Sequence, residues 1–137
     1  MSKHIDVVYG NFNNIEIGNT LALLEQKALL EKRIGKITFY FVSDEELLEI
    51  NRAHLNHDYY TDIITFDYST QRKLEGEIYV SIERVKENGK DFSEELIRVM
   101  SHGVLHMLGY NDKSEEESMT MRSKEEEWIK YIVSRES

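Results

Sequence analysis

The sequence predicts an α+β fold: a small mixed β-sheet of about four strands packed with helices, with a metal site at the end of a central helix. Three observations predict it. β-Branched and aromatic runs alternate with segments of helical apolar spacing, in the order β-α-β-α-β-β-α-α-α. Two of the strand runs are adjacent and joined by a polar stretch short enough for an antiparallel hairpin. One of the later helices carries two histidines four residues apart, just before a glycine.

Lys3 to Val8 reads as the first strand. A helix is expected from Asn19, as its N-cap, to Arg33, with Leu21, Leu24 and Ala28 at helical spacing and Gly35 as its stop. Lys36 to Val42 is β-branched and aromatic, and predicts a strand. Ser43 with Glu46 is a capping-box pair that opens a second helix, running to about His54. Asp62–Phe66 and Glu77–Ser81 are the hairpin strands, joined by the polar stretch Ser69 to Glu75. A short helix ends at Asn88-Gly89. Asp91 with Glu94 opens the helix that runs to Leu108 and stops at Gly109. Ser114 with Glu117 opens the last one, an amphipathic helix carrying Met121, Trp128, Ile129 and Ile132.

Composition narrows the function. The 137 residues hold no proline, repeat or Gly/Ser linker, so residues 1–137 read as a single domain. With 40% apolar and 31% charged residues the chain reads as globular and not disordered. No apolar run approaches the about 20 residues that span a bilayer, so no membrane partner is expected. The first residues lack the apolar core of a signal peptide, and the expected location is cytoplasmic. There is no cysteine, which leaves His, Asp and Glu as metal ligands and excludes thiolate chemistry. A formal charge of −9 argues against nonspecific coating of nucleic acid, which needs Lys and Arg to displace counterions. Lys27, Lys32, Arg33 and Lys36 form the nearest thing to a basic patch, and read as a solvated helix end.

The informative stretch is Ser101-His102-Gly103-Val104-Leu105-His106-Met107-Leu108-Gly109-Tyr110-Asn111-Asp112. Histidines at i and i+4 stack on one helix face, at the separation two imidazoles need to reach one cation. Alone, that spacing also fits two ordinary helix histidines. At ~100° per residue, however, Ile97, Met100, Val104, Met107 and Leu108 share one stripe and the histidines lie roughly opposite it. Gly103 inside the helix costs about 1 kcal/mol against alanine and marks close packing. Gly109 permits the turn that returns Asp112 towards the pair as a third ligand. Three protein ligands leave a fourth tetrahedral position for water, the catalytic arrangement of zinc. A zinc peptidase of the HExxH type needs a glutamate where this chain has Gly103, so its usual base is missing.

The same stretch resembles the H-G-x-L-H-L-x-G-Y-D-H signature of the YbeY family of bacterial metal-dependent endoribonucleases. Asn51, followed by Thr61-Asp62-Ile63-Ile64-Thr65-Phe66, resembles that family's N…T-D-V-L-S-F region. Gly76 to Ser81 resembles its L-G-D-I-x-I strand, and Met121 with Glu125 its M-x-x-x-E. The resemblance runs from about Ile37 to Trp128. It implies a single-strand-specific endoribonuclease of small-subunit rRNA 3′-end maturation and ribosome quality control, with ribosomal RNA and ribosome-associated factors as partners. It also implies an α+β fold whose metal helix packs on the sheet.

Two positions depart from the family pattern. Asp112 stands where the family has its third histidine. Aspartate is an acceptable zinc ligand and shifts preference towards harder divalent metals, so one zinc, or another divalent ion, is expected per chain. Leu55 stands where the family has an arginine thought to face substrate. Arg52, His54 and His57 are the nearby groups that could replace it, although each also reads as a solvated surface or loop residue. Thr61 and Asp62 are candidates for substrate or ligand-supporting contacts, and Asp62 equally reads as a strand-end residue. A ribosome- or factor-binding module with a structural metal, and a metallopeptidase, are the alternative function classes. His4 has no role assigned.

Overall fold

In the computed structural model of the chain, residues 3–89 and 91–136 are described. The strands are β1 (Ile5–Val8), β2 (Arg33–Val42), β3 (Ile63–Asp67) and β4 (Lys73–Ser81). The helices are α1 (Thr20–Leu29), α2 (Asp44–Leu55), α3 (Ile82–Asn88), α4 (Phe92–Met107) and α5 (Glu115–Arg135), with a 3-10 turn at Gly10–Phe12. The sheet order is β1-β2-β4-β3. β1 and β4 pair with β2 in parallel, and β3 pairs with β4 antiparallel. This is the expected α+β fold with a four-stranded mixed sheet and the 63–81 hairpin.

Strand alternation sorts side chains to two faces. On one, Ile5, Ile37, Phe39, Phe41, Ile78 and Val80 are buried beneath α1, α4 and α5, joined by Leu24, Ala28, Met100, Val104, Leu105, Trp128 and Ile132. On the other, α2 contributes Leu47 and Leu48 and covers Ile64 near the β3–β4 side. The rest of that second face carries Val8, Tyr40 and Tyr79, which stay partly or fully open to water. None of the described helices is long and apolar enough to cross a membrane.

Local capping chemistry places the helix starts. Ser43–Glu46 and Ser114–Glu117 both form complete capping boxes, each side chain bonding the other residue's backbone N–H. Asp91 accepts from the Glu94 N–H, as the N-cap of α4. Asn19 stands at the N-cap of α1 but makes no side-chain cap bond. Glu136 serves that end instead, accepting from the Thr20 hydroxyl at 2.9 Å and the Asn19 N–H at 3.3 Å.

Three expectations need correction. The first helix ends at Leu29, not Arg33, and Gly35 is no helix stop: it lies inside β2, at the register shift between Ile34 and Lys36. A residue skipped in the pairing with β4 accounts for a glycine there as readily as a helix end does. The basic cluster therefore divides. Lys27 is in the last turn of α1 and pairs with Glu127 at 3.1 Å, whereas Arg33 and Lys36 are strand residues. Finally, β4 begins at Lys73, so the hairpin connection is shorter than Ser69 to Glu75.

α4 approaches the sheet closely over two glycines. A Cβ at Gly103 would meet the Ile78 and Ile63 Cδ1 methyls at 3.0 and 3.1 Å, as expected from a glycine within a helix. A Cβ at Gly76 would press into the Phe66 carbonyl oxygen and, at 2.9 Å, the Met107 methyl. Gly76→Ala is expected to destabilise the protein by about 1–3 kcal/mol, because the obstacle includes backbone that cannot swing away. Denaturant unfolding that shows no loss would contradict this packing.

Candidate metal centre

His102 lies near the C-terminal end of α4, on the side where α5 and the start of β3 come together. Its Nδ1 is 2.6 Å from Glu125 Oε2 of α5. A carboxylate oxygen accepts, so Nδ1 carries the hydrogen and Nε2 is the nitrogen left to face elsewhere. It faces Asp112, whose Oδ2 is 3.8 Å away. Glu125 is buried and is met from its other side by Arg98 Nη1 at 3.5 Å. Arg98 also pairs with Glu126 at 2.9 Å and Glu95 at 3.4 Å.

Glu95, Arg98, His102, Asp112 and Glu125 line a cleft of about 290 Å³ with Asp62, Ile63 and Val99. Four carboxylates, on Asp62, Glu95, Asp112 and Glu125, outnumber Arg98 and the His102 imidazole. The Glu125 hydrogen bond raises the His102 imidazole above its ordinary value; the Glu125, Asp112 and Asp62 charges add to this and burial opposes it. Burial likewise raises the Glu95 carboxyl, against the pull of Arg98.

The turn that delivers Asp112 is built as expected at Gly109, where φ is +106°. The Gly109 N–H bonds His106 O at 3.0 Å, and the Tyr110 N–H bonds Leu105 O at 3.1 Å. Tyr110 donates its hydroxyl to Glu31 at 2.9 Å and lies beneath Lys124, while Ser118 holds the Asp112 carbonyl at 3.0 Å. The loop is thus anchored to the turn after α1 and to α5, on both sides of Asn111.

Of the residues singled out in the sequence, the fold brings His102, Asp112 and Asp62 to one cleft. His106 is exposed one turn further along, and among the described residues no three His, Asp or Glu side chains already converge on one point. His102 is less exposed than its place opposite the apolar stripe implied, because α5 covers that second side of α4. Thr61 turns back on its own chain, donating to Ile63 O at 3.3 Å. Arg52 is engaged by Asp58, His54 packs edge-on to Phe66, and His57 stacks on Tyr59. All three are exposed and none lines the cleft. Leu55 is 40% exposed. Asn51 is buried and donates to Tyr59 O at 2.8 Å, while its carbonyl accepts the His57 N–H at 3.0 Å, which pins the loop leading to Asp62.

Sequence reasoning matched Glu125 to a motif without giving it work to do. Its partner is 23 positions away, and only the packing of α5 on α4 joins them. Arg98 was missed altogether. Its signal was an arginine one turn before His102, on the same helical face.

The fold and site together define an α+β domain with an imidazole–carboxylate cleft at the end of its central helix. The family profile described as Endoribonuclease YbeY matches residues 10–133, and the chain belongs to that family. A protein of Flavobacterium psychrophilum named Endoribonuclease YbeY is 54% identical over 105 residues, 74% of this chain and 75% of its own. One of the same name from Bacteroides fragilis is 50% identical over 102 residues, 72% of this chain and 73% of its own. The solution structure of TM1509 from Thermotoga maritima superposes with a TM-score of 0.66 at 28% identity, covering 96% of this chain and 89% of that one.

Glu125→Gln removes the charge that supports His102 while keeping its shape. In metal-free protein the His102 titration midpoint, followed by NMR, is expected to fall. The sign for stability follows from a raised folded-state value. The wild-type increment is full below the unfolded imidazole value of 6.5 and is lost as pH rises through the higher folded value. The variant should lack that increment, and an unchanged His102 midpoint would disprove the Glu125 contact.

Proposed function

We propose that this chain is a metal-dependent endoribonuclease that cuts single-stranded RNA, with one zinc, or another divalent ion, held by His102, His106 and Asp112. The observation that carries the reading is the His102 ring, held by Glu125 at Nδ1 with Nε2 turned to Asp112, in a member of an endoribonuclease family. The donor set suits zinc: two imidazoles and a carboxylate, with a carboxylate behind one imidazole to set its tautomer. An excess of carboxylates makes the cleft receptive to a cation and hostile to a bare phosphodiester.

A zinc ion bound there supplies Lewis-acid polarisation of a phosphoryl oxygen and positive charge against which the leaving oxygen departs. The protein's own groups do the positioning. Glu125 orients His102, and Arg98 balances the buried Glu125 charge. Gly109, Tyr110 and Ser118 deliver Asp112. Asp62 lines the β3 side of the cleft, and we assign it a contact with substrate or a water. We assign the activity to maturation of the small-subunit rRNA 3′ end and ribosome quality control, in the cytoplasm and with ribosomal partners, as the family membership suggests.

One feature favours a second reading, a ribosome-binding module with a structural metal. Leu55 replaces the family arginine, and Arg98, the one arginine of the cleft, is already engaged by three carboxylates. A peptidase gains no such support: a glutamate at Gly103 would have to enter the space held by Ile63 and Ile78.

Purified protein should cleave a single-stranded RNA oligonucleotide and spare its duplex, lose activity on chelation and regain it with zinc. His106→Ala should reduce cleavage at least a hundredfold, given the weight a ligand carries in both affinity and chemistry. Equal inertness of the wild-type and variant proteins, both with metal bound, would support the binding module instead.

A further inference from the structure

The loop between α2 and β3 carries exposed aromatic surface that the cleft chemistry does not use. Asn56 ends α2 in the left-handed region, at φ +55°. Buried Asn51 then holds the loop twice. Its side chain donates to Tyr59 O at 2.8 Å, and its main-chain carbonyl accepts the His57 N–H at 3.0 Å. Between these anchors the His57 and Tyr59 rings stack, with centroids 5.0 Å apart and a 21° tilt, and the Tyr59 hydroxyl lies 2.9 Å from His57 Nδ1. Each ring spends one face on the other. Tyr59 is still 55% exposed, and His57 is exposed beside it.

The neighbouring side chains are committed elsewhere. Arg52 pairs with Asp58. Tyr60 donates to Glu45 at 2.7 Å, and Arg84 lies over its ring at 5.2 Å. The His57–Tyr59 pair is thus the open aromatic surface of the loop, held in place by backbone bonds that do not involve its rings. Three residues further on, Asp62 lines the cleft, and its carbonyl accepts the Ser81 N–H at 2.9 Å. Three extended residues span at most roughly 11 Å, so the backbone of Tyr59 lies within that reach of Asp62 at the cleft rim.

Phosphate contacts are a poor source of RNA affinity for this chain. Its formal charge is −9, and Arg98, the arginine of the cleft, is engaged by Glu95, Glu125 and Glu126. Leu55, at the end of α2, offers no charge. Bases offer a different handle. An aromatic ring stacks on an unpaired base of any sequence, whereas a base inside a duplex has no free face to give. We infer that the Tyr59 ring, backed by His57, is a stacking platform for an unpaired base next to the phosphodiester that enters the cleft. The inference rests on the endoribonuclease reading and adds to it the source of single-strand preference. Tyr59 binds substrate and stays away from the reacting atoms, so its contribution belongs to affinity and not to the chemical step.

The test pairs binding with kinetics on the full chain. Fluorescence anisotropy, in chelator to prevent cutting, compares a labelled uridine oligonucleotide with an abasic ribose-phosphate strand of equal length. The two strands carry the same charge, so they separate stacking from phosphate contacts. Wild-type protein should bind the uridine strand at least about fivefold more tightly than the abasic one. Tyr59→Ala should erase that difference, and Tyr59→Phe, which keeps the ring, should restore it to within about twofold. Tyr68→Ala, which removes a 60% exposed ring beyond the other end of β3, should bind as wild type does. On metal-loaded protein, Tyr59→Ala should raise KM by about the same factor as it weakens binding, with a far smaller change in kcat. The inference is overturned if wild-type protein cuts RNA while Tyr59→Ala keeps its affinity and KM, if kcat alone falls, or if the abasic strand binds as tightly as the uridine strand. Those results leave cleavage at the cleft standing. Wild-type protein that neither binds nor cuts RNA would overturn the endoribonuclease reading and this inference together.

Discussion

Helix α4 can lie against the β3–β4 hairpin only because Gly103 and Gly76 present no side chains where the two surfaces meet. Ile63 and Ile78 occupy the space above Gly103, and the Met107 methyl sits against Gly76. That seat fixes the rotation of α4 about its own axis. Val104, Met100 and Leu105 then go inward, His102 reaches the β3 side, and His106 follows one turn later at the helix end. α5 closes over the remaining side of α4 and brings Glu125 to His102. The cleft is what remains between these three elements.

The cleft concentrates charge in a way a stable fold does not require. Glu125 is buried, which costs free energy unless cationic and hydrogen-bonding partners compensate, and Arg98 and His102 are the two that do. The same carboxylate that orients His102 also favours its protonated form, so the metal proposed at Nε2 would have to compete with a proton there. Asp112 arrives from an anchored loop and not from a helix, and its side chain is more than half exposed. As the proposed third ligand, Asp112 so placed would leave one side of an ion open to substrate.

Much of the fold was legible because its signals are local. Ser43 with Glu46 and Ser114 with Glu117 announce helix starts within four residues, and both boxes formed. Gly109 stops α4 through its own backbone. Gly35 misled because a glycine at a helix end and a glycine at a strand irregularity look alike until the pairing partner, β4, is known. The helical wheel of α4 separated His102 from the apolar stripe, but a wheel cannot show a second neighbour. α5 covers that side, and turned an open imidazole into one held at 2.6 Å. Arg98 and Glu125 became site residues only through this tertiary contact. Family resemblance supplied the endoribonuclease reading that spacing alone left open between several hydrolytic chemistries.

The most direct test of the central claim is elemental analysis combined with metal-edge X-ray absorption on protein purified without added metal. The account predicts about one zinc per chain, in a shell of two imidazole nitrogens with oxygen donors, and loss of one imidazole in His106→Ala. Protein that carries no metal and takes up none, or a bound ion with no imidazole in its shell, would contradict it.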